Sequence, residues 1–314
     1  ARVLSQVPIA WPSRVEALGP EVPGAGILVR SADETLALVE LGPGQARTRW
    51  STAGARAAAV SPNGSLVAVR RLHALVLLEA KSGKEQAQVP LGEGKAVIFL
   101  DENRLLTPED DKLVVLSRTS AGFERQVIPA GLNNIDLLAA DPDRQLAIAA
   151  STTERADHAG SEGSVVKLVP LAGGEPRTLE MRSHTSWIDV APDGRSLAAM
   201  VANQDDSLRL LDFAGVRRVV AGEKGAPREY GPPAEAALAG AWSPCGNALA
   251  LAGADGQLRF LVLPPDLSRA EWSPFIAPFR GIRRLAWTSK GLAMADNDDR
   301  LYLWPMNVCS ALVR

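Results

Sequence analysis

The chain has 314 residues, 34 Lys and Arg against 36 Asp and Glu, a net charge of −2 and 46% hydrophobic residues. That length suits two domains or one large repeat-built domain, and the even charge, with only scattered pairs such as Arg70-Arg71, Arg217-Arg218 and Arg283-Arg284, excludes the basic surplus of a nucleic-acid binder. Two cysteines, Cys245 and Cys309, exclude a disulfide framework or a cysteine metal cluster, and no run of about eighteen apolar residues marks a membrane-spanning helix.

From the N-terminus, residues 2–8 ("RVLSQVP") read as a strand that precedes the first repeat. The first repeat then supplies "PSRVEAL" at 12–18, "GILVR" at 26–30, "LALVEL" at 36–41 and "ARTRWS" at 46–51. The six-residue apolar core of "LALVEL" returns as "LVLLEA" at 75, "LVVLSR" at 113, "VKLVPL" at 166, "LRLLDF" at 208, "LRFLVL" at 258 and "LYLWPM" at 301. These hexamers recur every 38 to 53 residues, are rich in Leu and Val, and follow turns rich in Asp or Gly, which is a strand signature.

Ahead of six of them stands a second marker: "SPNG" at 61, "DEN" at 101, "DPDR" at 141, "APDG" at 191, "SPCG" at 243 and "TSKG" at 288. Pro presets a turn dihedral, Asn and Asp tolerate the left-handed region, and Gly takes it without a clash. Before these turns lie "ARAAAV", "KAVIFL", "IDLLAA", "SWIDV", "ALAGAW" and "IRRLAW", expected as buried innermost strands. After the hexamers, "KEQAQVPL", "FERQVIP", "EPRTLEM" and "VRRVVAG" read as outermost strands, charged as a guarded sheet edge is. A period near 40 to 45 residues with four strands per unit is that of propeller blades. The expected fold is therefore all-β, one domain over 1–314, a seven-bladed propeller of four-stranded antiparallel blades. The blades fall at about 10–52, 53–92, 93–130, 131–182, 183–222, 234–275 and 279–306 plus 2–8. In this reading the N-terminal strand completes the seventh blade and closes the ring; "VCSALV" near the C-terminus is the alternative strand.

With these turns, this period and Trp304 ending a third strand, the chain resembles the WD40-type propellers over essentially its whole length. The Trp-Asp columns of that family hold Val39-Glu40, Leu78-Glu79, Leu116-Ser117, Val169-Pro170, Leu211-Asp212, Leu261-Val262 and Trp304-Pro305, so no unit keeps both residues. The chain is also similar to periplasmic TolB-type propellers, which share the S-P-D-G turn. Its ending "LYLWPMNVCSALVR" resembles the close of bacterial WD40 arrays fused behind signalling modules. That resemblance, with an Ala rather than a Met at position 1, implies a sensing or partner-binding domain of a larger bacterial protein.

No enzyme signature accompanies the repeat. The histidines, His73, His158 and His184, are dispersed, there is no G-x-S-x-G elbow, and phosphate and dinucleotide loops are missing. Asn133, Asn134, Asp136 and Asp189 lie in or beside inner strands, and oxygen ligands of this kind could hold Ca²⁺; solvated or hydrogen-bonded acids are the plainer reading. Cys245 in "SPCG" is expected to be an inert thiol and Cys309 a small buried hydrophobe, two free thiols that fit the cytoplasm, with the periplasm as alternative.

Two insertions, 152–163 and 222–235, lengthen the repeat, and long loops on a rigid scaffold are common recognition sites. The second carries Lys224, Arg228, Glu229 and Tyr230, able to anchor a partner through an aromatic and a guanidinium. Trp50, Trp187 and Trp272 are further anchor candidates, whereas Trp242 and Trp287 share one column and are expected to pack between blades. The expected function is a non-catalytic platform that binds another protein or a domain of its own parent chain. No cofactor, metal, nucleic acid or membrane insertion is expected.

Overall fold

The turn after each first strand sets the local geometry. At Ser61-Pro62-Asn63-Gly64, the Gly64 N–H donates to the Ser61 carbonyl (2.8 Å) and the Ser61 N–H to that of Leu66 (3.0 Å). The Ser61 hydroxyl oxygen accepts the Leu66 N–H (3.0 Å), so the side chain ties the turn to the strand it launches. Ser243 repeats this with Ala248 (3.0 Å), and Asp141 does so twice, accepting the N–H groups of Gln145 (2.7 Å) and Leu146 (2.8 Å). Asp101 holds Asn103 and Arg104, and Thr288 holds Lys290.

A computed structural model describes residues 9–42, 45–141, 143, 145–151, 164–179, 184–202, 207–212, 228–230, 237–253, 257–263, 271–272 and 281–306. Its strands are β1 (Ile9–Ala10), β2 (Val15–Val22), β3 (Gly26–Ser31), β4 (Leu36–Gly42), β5 (Gln45–Thr52), β6 (Ala57–Val60), β7 (Leu66–Arg71), β8 (Ala74–Glu79), β9 (Glu85–Pro90) and β10 (Ile98–Phe99). They continue with β11 (Arg104–Glu109), β12 (Lys112–Thr119), β13 (Gly122–Pro129), β14 (Leu137–Ala140), β15 (Leu146–Ser151), β16 (Val165–Pro170), β17 (Arg177–Leu179), β18 (His184–Val190) and β19 (Ser196–Ala202). The last are β20 (Ser207–Asp212), β21 (Arg228–Tyr230), β22 (Ala237–Trp242), β23 (Ala248–Gly253), β24 (Leu258–Val262), β25 (Glu271–Trp272), β26 (Ile282–Thr288), β27 (Gly291–Asp296) and β28 (Arg300–Trp304).

These strands form seven four-stranded antiparallel sheets. Six consist of strands consecutive in the chain: β2–β5, β6–β9, β10–β13, β14–β17, β18–β21 and β22–β25. The remaining sheet is composite, β26–β28 with β1 on its outer edge. Each recurring hexamer falls in a third strand, β4, β8, β12, β16, β20, β24 or β28.

Two details differ from the sequence expectation. The N-terminal strand paired with β28 is Ile9–Ala10 rather than 2–8, which lie outside the described residues; the Trp11 N–H bond to the Asp299 carbonyl (3.1 Å) sets this register. The outer strand of the fifth unit is not "VRRVVAG", which lies outside the described residues, but Arg228–Tyr230, paired with Leu208–Leu210 of β20. Residues 222–235 are therefore not wholly a loop. Pairing with an open sheet edge captured a stretch that turn-former spacing had marked as a connection.

The chain divides into two compact units. In the unit Ala1–Ala55, Lys81–Gly83 and Pro232–Arg314, Val29, Val39 and Leu41 pack on Ala293, Ala295 and Leu301, and Phe260 packs on Met294 and Trp287. In the unit Arg56–Ala80 and Lys84–Gly231, Leu75 and Leu77 meet Leu105 and Leu116; Leu113 and Val115 meet Ala147 and Val169; Ile148 and Val166 meet Leu197 and Ala199. Sheets buried on both faces need small residues where they approach closely. The second strands supply them: β15, "LAIAAS", and β23, "ALALAG", are buried throughout. Gly291, at φ +136°, opens β27 so near the Trp304 carbonyl that a Cβ would lie 2.1 Å from its oxygen, and Gly26 stands likewise against Val39.

The turn lock predicts a paired result in denaturant unfolding. Ser243→Ala, which leaves the buried Ala248 N–H without its acceptor, is expected to cost about 1–3 kcal/mol. In "APDG" the corresponding position is Ala191, whose N–H bonds the Ser196 carbonyl as Ser61 bonds that of Leu66. Ala191→Ser is expected to stabilise by roughly 0.5–1 kcal/mol.

Candidate functional site

Three consecutive innermost strands of the second unit, β6, β10 and β14, are each entered by a polar segment, and these segments meet. Arg56, Glu93, Gly94, Lys95, Asn133, Asn134 and Ile135, with Asp110 and Asp111 from the β11–β12 turn, line a basin of about 270 Å³. Asp110 and Asn134 adopt left-handed backbone, φ +53° and +50°, the conformation Asx residues tolerate best in tight turns. The Glu93 N–H donates to Asp110 Oδ1 (3.3 Å) and the Asp110 N–H to the Glu93 carbonyl (2.8 Å), locking two of these segments together. The Gly92 N–H donates to Glu109 Oε1 (2.6 Å), and Glu109 pairs with Arg125.

Beneath this basin lies Arg70, which has no exposed surface. Its guanidinium donates to the carbonyls of Arg71 (2.7 Å), Ala74 (3.1 Å), Gly92 and Pro108 (3.4 Å), joining β7 to the strands beside it. Only a glycine fits above it, since a Cβ at Gly94 would sit 2.7 Å from Arg70 Nη2. Desolvation lowers the Arg70 pKa to about 10, opposed by attraction to Asp110 and reinforced by repulsion from Arg56. Arg70 is thus a structural cation that lends positive potential to the floor of the basin.

The residues singled out in the sequence are placed as follows. Arg228, Glu229 and Tyr230 stand on β21, the outermost strand of its sheet, and Lys224 lies outside the described residues, as do 152–163. Trp50 in β5 is partly buried, and its ring atoms lie 2.6–2.9 Å from where a Cβ on Gly83 would be, so it is a packed ring rather than a bare anchor. Trp187 in β18 and Trp272 in β25 are also partly buried. Trp242 is buried, and Trp287 donates its indole N–H to the Ala241 carbonyl (3.0 Å) while packing on Phe260. Asn133 and Asn134 do reach the basin, but Asp136 and Asp189 are not among its lining residues.

Among the described residues no group of three or more His, Cys, Asp or Glu side chains is arranged to hold a metal. Arg56, Glu93 and Lys95 were missed in the sequence; their signal was a polar residue at the head of an otherwise apolar inner-strand segment. Cys245 is disulfide-bonded, not the free thiol expected, and the chain's other cysteine, Cys309, lies outside the described residues.

No protein-family model and no curated protein sequence matches the chain. Solved structures do. The β-propeller domain of Cps50 (Swd1) from Myceliophteria thermophila superposes with a TM-score of 0.72 at 11% identity, covering 96% of this chain and 100% of that one. The chain is a β-propeller. Hydrazine synthase of Kuenenia stuttgartiensis is similar at a TM-score of 0.71 and 12% identity, covering 94% of this propeller and 97% of that chain. Identities this low show the fold and nothing finer. No helix of the described residues is long and apolar enough to cross a membrane.

Asp189 and Arg70 each yield a measurable expectation. Desolvation in β18 raises the Asp189 carboxyl to about 6, partly offset by the Val190 N–H that bonds it (2.8 Å). Below about pH 4 the group is protonated folded and unfolded; between about 4 and 6 only the unfolded chain ionises, so stability falls as pH rises, then levels. Asp189→Asn is expected to flatten that decline in pH-dependent urea unfolding and to gain roughly 1–3 kcal/mol at pH 7. Arg70→Ala, which strips donors from four carbonyls, is expected to cost about 3 kcal/mol or more in the same assay.

Proposed function

We propose that this propeller is a non-catalytic interaction and sensing platform, presenting loops from one rim to another protein or to a domain of its own parent chain. The observation that carries the reading is the basin: segments from three successive sheets converge on it, two of them fastened by the Glu93–Asp110 bonds, with the buried cation Arg70 behind them. Loops held this way lose little freedom on binding, which leaves more of the contact energy as affinity. On this reading each four-stranded sheet is a blade, and β1 from the N-terminus completes the sheet of β26–β28. The parent would be a bacterial signalling or defence protein, as the WD40-like pattern implies. Arg228, Glu229 and Tyr230 on an outermost strand are proposed as secondary contacts, with Lys224, Trp50 and Trp187 subordinate to the basin.

The disulfide at Cys245 favours the second compartment reading, a periplasmic docking propeller of the TolB kind, because disulfides persist where thiols are not kept reduced. Alkylation of the freshly lysed native protein distinguishes the two. No thiol modified before reduction supports the periplasm, and two modified thiols support the cytoplasm.

The platform reading is tested by placing a photo-crosslinking amino acid at Lys95, on the basin, and at Gln86, on the exposed edge strand β9, in the native host. A discrete protein adduct from position 95 and none from 86 is the expected result. No adduct at 95, or a divalent ion retained in native mass spectra and stripped by chelator together with a hydrolase or lyase activity, defeats the platform in favour of a Ca²⁺-dependent enzyme.

A further inference from the structure

The charges around the basin do not cancel among themselves. Asp111 is engaged by Lys112 Nζ at 3.7 Å, and Asp110 is held by the Glu93 N–H and drawn toward Arg70. Glu93 and Lys95 differ from these. They flank Gly94, both are exposed, both line the basin, and neither side chain takes part in a hydrogen bond or ion pair among the described residues, not even with the other. Opposite charges two residues apart have an easy route to each other if nothing holds them apart. Here Gly94 is buried between them, pressed against the Arg70 guanidinium and the Pro108 carbonyl oxygen, which lies 2.3 Å from where a Cβ would be.

The basin therefore offers one uncommitted cation and one uncommitted anion. Arg56 adds positive charge on the side of β6, and Asp110 adds negative charge on the side of the β11–β12 turn. A ligand with a single charge meets one of these groups with the wrong sign and strips water from the other without recompense. A ligand carrying both signs satisfies both. Asn133 and Asn134 supply amide donors and acceptors at the wall, and Ile135, the one apolar residue of the lining, is almost wholly covered at 2% exposed. A basin of about 270 Å³ has room for a small molecule of amino-acid size.

We propose that the basin at the heads of β6, β10 and β14 binds a small zwitterion of the α-amino-acid class. Its carboxylate is received by Lys95 and Arg56 and its ammonium by Glu93 and Asp110. The site goes beyond the platform reading and does not require it. If a partner protein also docks on this rim, the zwitterion occupies part of the docking surface and gates it.

The experiment screens the twenty L-amino acids singly against the intact chain by thermal shift. It then titrates the best binder by calorimetry beside its methyl ester, which lacks the carboxylate charge, and its N-acetyl form, which lacks the ammonium. The expected result is saturable binding of the free amino acid, with each derivative weaker by about tenfold, the size of one charge-assisted hydrogen bond at a half-open site. Lys95→Gln is expected to abolish the preference over the ester while keeping that over the N-acetyl form, and Glu93→Gln to do the reverse. Both positions are exposed, so these variants fold, and unchanged thermal midpoints without ligand confirm it. The proposal is overturned if no amino acid saturates at 10 mM, if either derivative binds as well as its parent, or if the two variants do not divide the preferences in this crossed way.

Discussion

One hydrogen bond recurs at several of the turns that lead from the first strand of a sheet into its second. A side-chain oxygen at the first turn position accepts the N–H of the residue that opens the following strand, as Ser61 does for Leu66, Asp141 for Leu146 and Ser243 for Ala248. At Leu146 and Ala248 the bond is buried, so its N–H has no water to turn to, and losing the acceptor costs more than forming the bond contributes. It also bears on the register. Because a one-residue slip would turn every core side chain toward the opposite face, the lock between β14 and β15 keeps Ile148 opposite Ala139 in the same core.

With register settled, packing follows a simple rule of size. Sheets covered on both faces bring second strands within reach of two neighbours, and alanines there leave room for the Leu and Val of third strands. Where even alanine would intrude, Gly26 and Gly291 allow the backbone itself to touch the adjoining strand. At the composite sheet, Phe260 lies between Trp287 and Trp304, with ring centroids 6.4 and 6.1 Å away. Tyr302 adds a hydrogen bond to Asp296 (2.6 Å), and Asp296 in turn holds the N–H groups of Asp298 and Arg300. Polar turn and aromatic core are thus joined through one carboxylate.

The same frame explains why charge collects at the heads of three inner strands. Arg70 is a charge held inside a strand, where four carbonyls stand in for a counter-ion and the guanidinium keeps its proton at neutral pH. Above that floor, the Glu93 and Asp110 segments are held together through their backbone N–H groups, with no ion pair between Glu93 and Lys95. Glu93 and Lys95 thereby stay available to something else, which is a property of a binding surface more than of a stability device.

Much of the architecture was legible without coordinates. The alternation of short Leu/Val hexamers with Pro-Asx-Gly turns is a local code, since turn dihedrals and strand patterning depend on near neighbours, and it identified the third strands and most outer ones. Non-local choices were not legible. Which stretch fills the outer edge beside β20, where the N-terminal ladder starts, and that Cys245 finds a partner all depend on contacts between residues far apart in sequence. The basin is the clearest case: Arg56, Lys95 and Asn134 are unremarkable one at a time, and only the folding of three sheets side by side makes them neighbours. Sequence alone determined the strand code, because its physics is local; the tertiary structure decided the site, because a site is a meeting of distant residues.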